Sequence, residues 1–247
     1  MPDRQRLDVA LEKRGLARSR ARAADAIRRG TVMVNGRAAL KPGQNVTEAD
    51  EITIADPASR YVSRAALKLI AGLDAAGIGV EGRICLDLGA STGGFTQVLI
   101  ERGAARVFAV DVGHDQLDPE VAENPSVIEL EGTDARNLTR SEIPDPPDLL
   151  VCDASFISLE KLLPAALALC AARAEAVLLI KPQFEVGREN VGKGGIVRDR
   201  TAIDAAVSRV IGFMAEKGWR HLITAPSPID GGDGNTEFIA AFACGKA

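Results

Sequence analysis

The chain has 247 residues, 46% hydrophobic and 26% charged, with a formal net charge of −4. That balance describes a globular protein of one or two domains with ample core. It leaves no spanning helix, because Leu162 to Ile180 is interrupted by Arg173 and Glu175. The charge is uneven: residues 1–41 hold eleven Lys/Arg against four Asp/Glu, and residues 42–247 hold nineteen against thirty. A basic head on an acidic body points to two modules with different partners.

No apolar region follows the charged start Met1 to Arg6, so no secretory signal is expected. Cys85, Cys152, Cys170 and Cys244 lack metal-ligand spacing and lie in apolar segments. They read as buried thiols in a reducing cytoplasm, and no metal site is expected.

The first 58 residues predict a small α+β domain. Leu7, Ala10 and Leu11 stand at helical spacing between Arg6 and Arg14, and Gly15 closes that helix. Ser19 caps a second helix reaching Arg29, with Ala23, Ala24 and Ile27 inward. Val32-Met33-Val34, the turn Asn35-Gly36 and a second short strand read as a hairpin. Lys41-Pro42-Gly43 is a further turn, and Glu51 to Ile54 a last strand. Arg22 and Arg29 share a face of the second helix, and Arg18 and Arg20 sit at its start. With few aromatics nearby, this basic surface suits backbone and shape contacts to folded RNA.

Residues 59–63 read as a linker, and the second domain as 64–247. A helix is expected from Ser63, as its cap, to about Ala76, with Leu67, Ile70 and Leu73 packed. Lys68 stands with Arg64 on the opposite face and by itself reads as a surface lysine. Strands are expected at 84–88, 106–111, 127–130, 149–152, 176–180, 221–225 and 237–243, and helices at 94–102, 159–172 and 201–217. The alternation predicts a doubly wound, mostly parallel α/β sheet. Ligands of such sheets bind beyond the carboxyl ends of the strands, which selects Gly89 to Gly94, Asp111, Asp134, Asp153 and Lys181.

The stretch Asp87-Leu88-Gly89-Ala90-Ser91-Thr92-Gly93-Gly94-Phe95-Thr96 reads as strand, tight turn and helix, a place where backbone approaches a nucleotide-like ligand. No Gly-Lys-Ser/Thr follows it, and the Gly-x-Gly-x-x-Gly spacing of a dinucleotide site is absent. Asp111 ends the second strand, where a carboxylate accepts from a ribose diol; Asp134 follows the third and can reach an adenine amine. S-adenosylmethionine fits these features, having a ribose but no pyrophosphate.

The N-terminal stretches Arg6-Leu7-Asp8, Gly15 to Arg20 and Ile27 to Gly36 resemble the S4-like RNA-binding domain. Further on, Val62-Ser63-Arg64-Ala65-Ala66-Leu67-Lys68-Leu69, Asp87 to Thr96, Asp153-Ala154-Ser155-Phe156-Ile157-Ser158-Leu159, Lys181-Pro182-Gln183-Phe184-Glu185-Val186-Gly187 and Gly234-Asn235-Thr236-Glu237 resemble the TlyA family. The resemblance covers essentially the whole chain. It implies a seven-stranded Rossmann-like, FtsJ-like methyltransferase domain that uses S-adenosylmethionine to methylate a ribose 2′-hydroxyl, of cytidine, in 16S and/or 23S ribosomal RNA.

By motif, the family's Lys-Asp-Lys-Glu tetrad falls on Lys68, Asp153, Lys181 and Glu237. Lys181 would remove or steer the hydroxyl proton, Asp153 and Glu237 would hold the lysines and the sugar, and Lys68 would stabilise negative charge. Cofactor contacts are expected from Asp87, Gly89, Ala90, Ser91, Gly93, Gly94, Phe95, Asp111, Asp134 and Phe156. Phe156 is alternatively a stacking platform for a flipped nucleotide, or plain packing. RNA contacts are expected from Arg4, Arg6, Arg18, Arg20, Arg22, Lys41, Arg64, Arg188 and Lys193, the last two in a glycine-rich loop, Gly187–Gly195. Tyr61 stands where the family commonly has tryptophan. The alternatives are an RNA-binding protein of ribosome assembly without catalysis, and a membrane-active haemolysin. A cytoplasmic monomer acting on ribosomal subunits is the expectation.

Overall fold

The computed structural model describes residues 4–232 and 234–245, the side chain of Arg188 excepted. They form two compact units that divide between Arg60 and Tyr61.

The first unit runs β1 (Gln5–Arg6), α1 (Leu7–Lys13), α2 (Arg20–Arg28), β2 (Val32–Val34), β3 (Arg37–Ala38), β4 (Asn45–Val46) and β5 (Ile52–Ile54). Ser19 caps α2 by accepting from Arg22 N at 3.3 Å, as the sequence predicts. Asn35 and Gly36 both adopt positive φ, the requirement of a two-residue hairpin turn, and β2 pairs antiparallel with β3 on one side and β5 on the other. Leu7, Leu11, Ile27 and Val32 are fully buried at the centre. The two-residue strands β1 and β4 pair with each other; they are too short for a periodicity to reveal.

The second unit contains α3 (Ala66–Ala76), β6 (Ile84–Leu88), α4 (Gly94–Glu101), β7 (Arg106–Val110), α5 (Pro119–Ala122), β8 (Val127–Leu130), β9 (Leu149–Cys152), α6 (Leu159–Leu169), β10 (Ala174–Ile180), α7 (Pro182–Glu185), α8 (Arg200–Glu216), β11 (Arg220–Pro226) and β12 (Phe238–Cys244). Its seven strands lie in the order β11-β12-β10-β9-β6-β7-β8. From β10 to β8 every pairing is parallel, while β12 runs antiparallel to both its neighbours.

Successive strand residues face opposite sides of the sheet, and both sides are covered. Leu86, Leu150, Leu178 and Phe242 pack with Leu163 of α6 and Val210 and Met214 of α8. Cys85, Val151, Val177 and Ile239 pack with Leu69 and Leu73 of α3 and Phe95 and Leu99 of α4. Tyr61 is 2% exposed and belongs to this second face, so the tyrosine serves there as core.

Two expectations for the α3 segment need correction. Ser63 does not cap α3: its Oγ accepts from Ala65 N at 3.2 Å, Ala66 N bonds back to Ser63 O, and the helix proper starts at Ala66. Nor is Lys68 a surface lysine, since it is only 6% exposed.

Candidate active site

The chain visits β6, β7 and β8 in turn, then returns to β9 on the other side of β6, which makes the β6/β9 edge the switch point of the sheet. Gly89 follows β6 there with φ +81, and a Cβ on it would stand 3.0 Å from the Ala154 backbone just beyond β9. Glycine is therefore required by close packing of two loops as well as by its conformation.

A cleft of about 1100 Å³ opens beside this contact. Of the residues expected to hold a cofactor, Gly89, Ser91, Asp111, Asp134 and Phe156 lie on its wall. Asp87, Ala90, Gly93, Gly94 and Phe95 are buried behind the wall, where they shape the turn. Asp87 has no exposed surface: Oδ2 accepts from Thr96 Oγ1 at 2.7 Å, and burial pushes its carboxyl up to about 7.

Asp111 receives Ser91 N on Oδ2 and Gly113 N on Oδ1, both at 2.8 Å. Each oxygen keeps a further lone pair, so the carboxylate that braces the loop can still accept from a diol. Asp134 is engaged by Arg136, whose Nη2 lies 2.5 Å from Oδ2, and this pairing draws the carboxyl below its usual range. Val112 is 73% exposed on the same wall and was not singled out from the sequence. An apolar side chain left bare directly after a cleft carboxylate is the signal that identifies it. The set suits S-adenosylmethionine: a ribose acceptor, an apolar face, close backbone approach at Gly89, and no phosphate-binding lysine.

A second cavity of about 460 Å³ is lined by Ser63, Arg64, Lys68, Lys181 and Glu237. It shares Ser155, Phe156, Gln183, Phe184 and Val191 with the first. The four tetrad positions reach this region from α3, the end of β9, the end of β10 and the start of β12. They form two ion pairs. Lys68 Nζ bonds to Glu237 Oε2, both side chains nearly buried. Lys181 Nζ stands 2.7 Å from Asp153 Oδ1 and donates to Ser155 Oγ at 2.8 Å.

Phe156 is 90% exposed and has φ +67, a strained conformation for an aromatic residue. Its ring lies 5.2 Å from that of Phe184. The exposure excludes packing into a core. Glu185, not singled out from the sequence, is buried, and its Oε1 accepts from Leu159 N at 2.9 Å. Burial raises this carboxyl to about 7.

The expected RNA-binding residues divide. Arg4, Arg18 and Lys41 are exposed. Arg6 and Arg20 both pair with buried Asp8, at 2.7 and 3.1 Å, while keeping about half their surface open. Arg22 is half-buried and donates to Ala58 O at 2.8 Å, so it ties down the end of the first unit. Arg64 is on the wall of the second cavity and Lys193 is exposed; the side chain of Arg188 lies outside the described residues. Among the described residues no group of acidic, histidine and cysteine side chains could hold a metal ion.

The FtsJ-like methyltransferase model matches residues 61–244, and the S4 domain model residues 5–52. The 16S/23S rRNA (cytidine-2′-O)-methyltransferase TlyA of Mycobacterium tuberculosis is 46% identical over 97% of this chain and 90% of its own length. The chain belongs to the TlyA family of FtsJ-like methyltransferases. Hemolysin A of Brachyspira hyodysenteriae is 38% identical, over 96% of this chain and 99% of the relative. A solved structure from Streptococcus thermophilus, also under the hemolysin name, superposes with TM-score 0.77 at 36% identity, covering 100% of this chain and 90% of that one. No helix among the described residues is long and apolar enough to cross a membrane. The TlyA family fold and the S4 module expected from the sequence are thus both present, and a methyltransferase domain of this kind implies use of S-adenosylmethionine.

Proposed function

We infer that the protein methylates the ribose 2′-hydroxyl of a cytidine in 16S and/or 23S ribosomal RNA, with S-adenosylmethionine as donor. The observation that carries the reading is the meeting of two cavities at Ser155, Phe156, Gln183 and Phe184, with the two lysine–carboxylate pairs beside the junction. The larger cleft suits the donor and the smaller cavity the acceptor nucleotide. When bound, S-adenosylmethionine supplies an electrophilic sulfonium methyl.

The residues of the chain do the rest. Asp111 would hold the donor's ribose and Val112 its adenine face, while Asp134, held by Arg136, borders the adenine end. Phe156 would stack on a base turned out of its helix, consistent with its bare ring at the junction. Lys68 and Glu237 would orient the acceptor sugar. Lys181, fixed by Asp153, would take or steer the hydroxyl proton, so that a weak nucleophile attacks in line. Arg4, Arg18, Lys41, Arg64 and Lys193 would meet RNA phosphates. Lys181→Ala tests the reading: transfer to ribosomal subunits should fall by at least about 100-fold with the fold intact by circular dichroism. Retained transfer in that variant would remove Lys181 from the mechanism.

A further inference from the structure

Lys181 is nearly buried, with 9% of its side chain exposed, whereas Ser155 is exposed. Three oxygens surround the lysine nitrogen: Asp153 Oδ1 at 2.7 Å, Ser155 Oγ at 2.8 Å and the Asp153 carbonyl at 3.3 Å. An ammonium has three hydrogens: Ser155 Oγ and the Asp153 carbonyl accept hydrogen bonds from it, while Asp153 Oδ1 faces it as an ion pair without hydrogen-bond alignment. A neutral amine has two hydrogens and one lone pair. The two Asp153 oxygens can only accept, so in that state the lone pair falls to Ser155, the one neighbour that can also donate. Ser155 is therefore the neighbour that can exchange acceptor for donor as the lysine gains or gives a proton. Asp153 lines only the donor cleft, while Ser155 lines both cavities.

We propose that Ser155 is a further catalytic residue, the hydroxyl through which Lys181 draws the proton from the acceptor. This rests on the methyl-transfer reading above. The acceptor O–H bond breaks as its proton forms a bond to Ser155 Oγ. The O–H bond that Ser155 already held breaks in the same event, and that proton forms an N–H bond on neutral Lys181. Ser155 ends unchanged, the lysine ends as an ammonium facing the Asp153 carboxylate, and the acceptor oxygen keeps the electron pair with which it attacks.

The test compares Ser155→Ala and Ser155→Thr with the wild type, in single-turnover methylation of ribosomal subunits and in side-chain 15N NMR of the protein alone. Ser155→Ala should slow the step by about 100-fold, the scale of proton-transfer catalysis, with KM for the subunits and the thermal midpoint unchanged. Ser155→Thr, which keeps the hydroxyl, should restore most of the rate. Rates in H2O/D2O mixtures should curve for the wild type, with two protons in flight, and become linear for Ser155→Ala. The Lys181 Nζ signal, assigned by its loss in Lys181→Arg, should exchange faster with water in Ser155→Ala. A Ser155→Ala rate within about twofold of wild type, failure of threonine to rescue, or an unchanged Lys181 signal would each overturn the relay. A wild type that transfers no methyl would instead sink the underlying reading. Full Ser155→Ala activity beside a dead Lys181→Ala sinks this inference alone.

Discussion

Asp87 and Glu185 are carboxyls that the folded protein holds out of water, and both sit behind the site without lining its mouth in the way Asp111 does. Burial raises each to about 7, above the range of an unfolded chain. The sign follows directly: a raised acid contributes stability that is complete below about pH 4 and is lost as pH climbs through 7, because the unfolded chain releases protons that the native one retains. Thermal midpoints measured from pH 5.5 to 8.5 should therefore decline, and the decline should be shallower in Asp87→Asn. A flat profile in the wild type would contradict it. The sequence placed Asp87 in the glycine turn but not behind it, because a strand-end aspartate reads the same whether its carboxyl faces cleft or core. Lys68 was misjudged for a related reason. Its own helix offers only a small-residue face, and the partner that makes burial tolerable, Glu237, arrives from the other end of the unit.

Helix α3 delivers Lys68 by lying very close to the sheet. A Cβ on Gly72 would stand 2.7 Å from Val177 Cγ1 of β10 and 2.7 Å from Ile239 Cγ2 of β12. Those strands lead to Lys181 and from Glu237, so spacing at Gly72 sets the spacing of the site. Gly72→Ala should cost about 1–2 kcal/mol, the overpacking penalty less the helix-propensity gain, and should depress methyl transfer as Lys68 is pushed from Glu237. Val177→Ala in the same chain should recover part of both; calorimetry and activity of the single and double variants check this. Strands β6 and β10 were readable as near-continuous apolar runs, and α8 by apolar spacing sustained over several turns. The short helices α5 and α7 were not, since four residues carry no periodicity. Helix α2 shows a second limit. Arginines spaced along a face look equivalent in sequence, yet Arg29 grips Asp25 and nearly buried Asp56, at 2.9 and 2.6 Å. Arg29→Ala should lower the thermal midpoint of the first unit, whereas Lys41→Ala should leave it unchanged. Lys41→Ala should instead weaken RNA binding and flatten its salt dependence by about one counterion.

At the scale of the molecule, charge is distributed unevenly along the chain. The first 41 residues are strongly basic and the remainder acidic, and the structure divides between Arg60 and Tyr61. The α/β order placed strand ends, and with them Gly89, Asp111, Asp153 and Lys181, at one edge of one sheet. It could not show that the edge carries two cavities or that Phe156 and Ser155 stand between them, because loop conformations such as the positive φ of Phe156 leave no periodic trace. The proposed methyl transfer joins these parts: a donor cleft and an acceptor cavity in the second unit, and a basic unit matching the S4 domain before them. Its most direct test is transfer of labelled methyl from S-adenosylmethionine to separated ribosomal subunits by the full chain, with the product mapped by nucleoside mass spectrometry. The expected product is 2′-O-methylcytidine in rRNA, abolished by Lys181→Ala. Label on a base, or no label in either subunit, would contradict it.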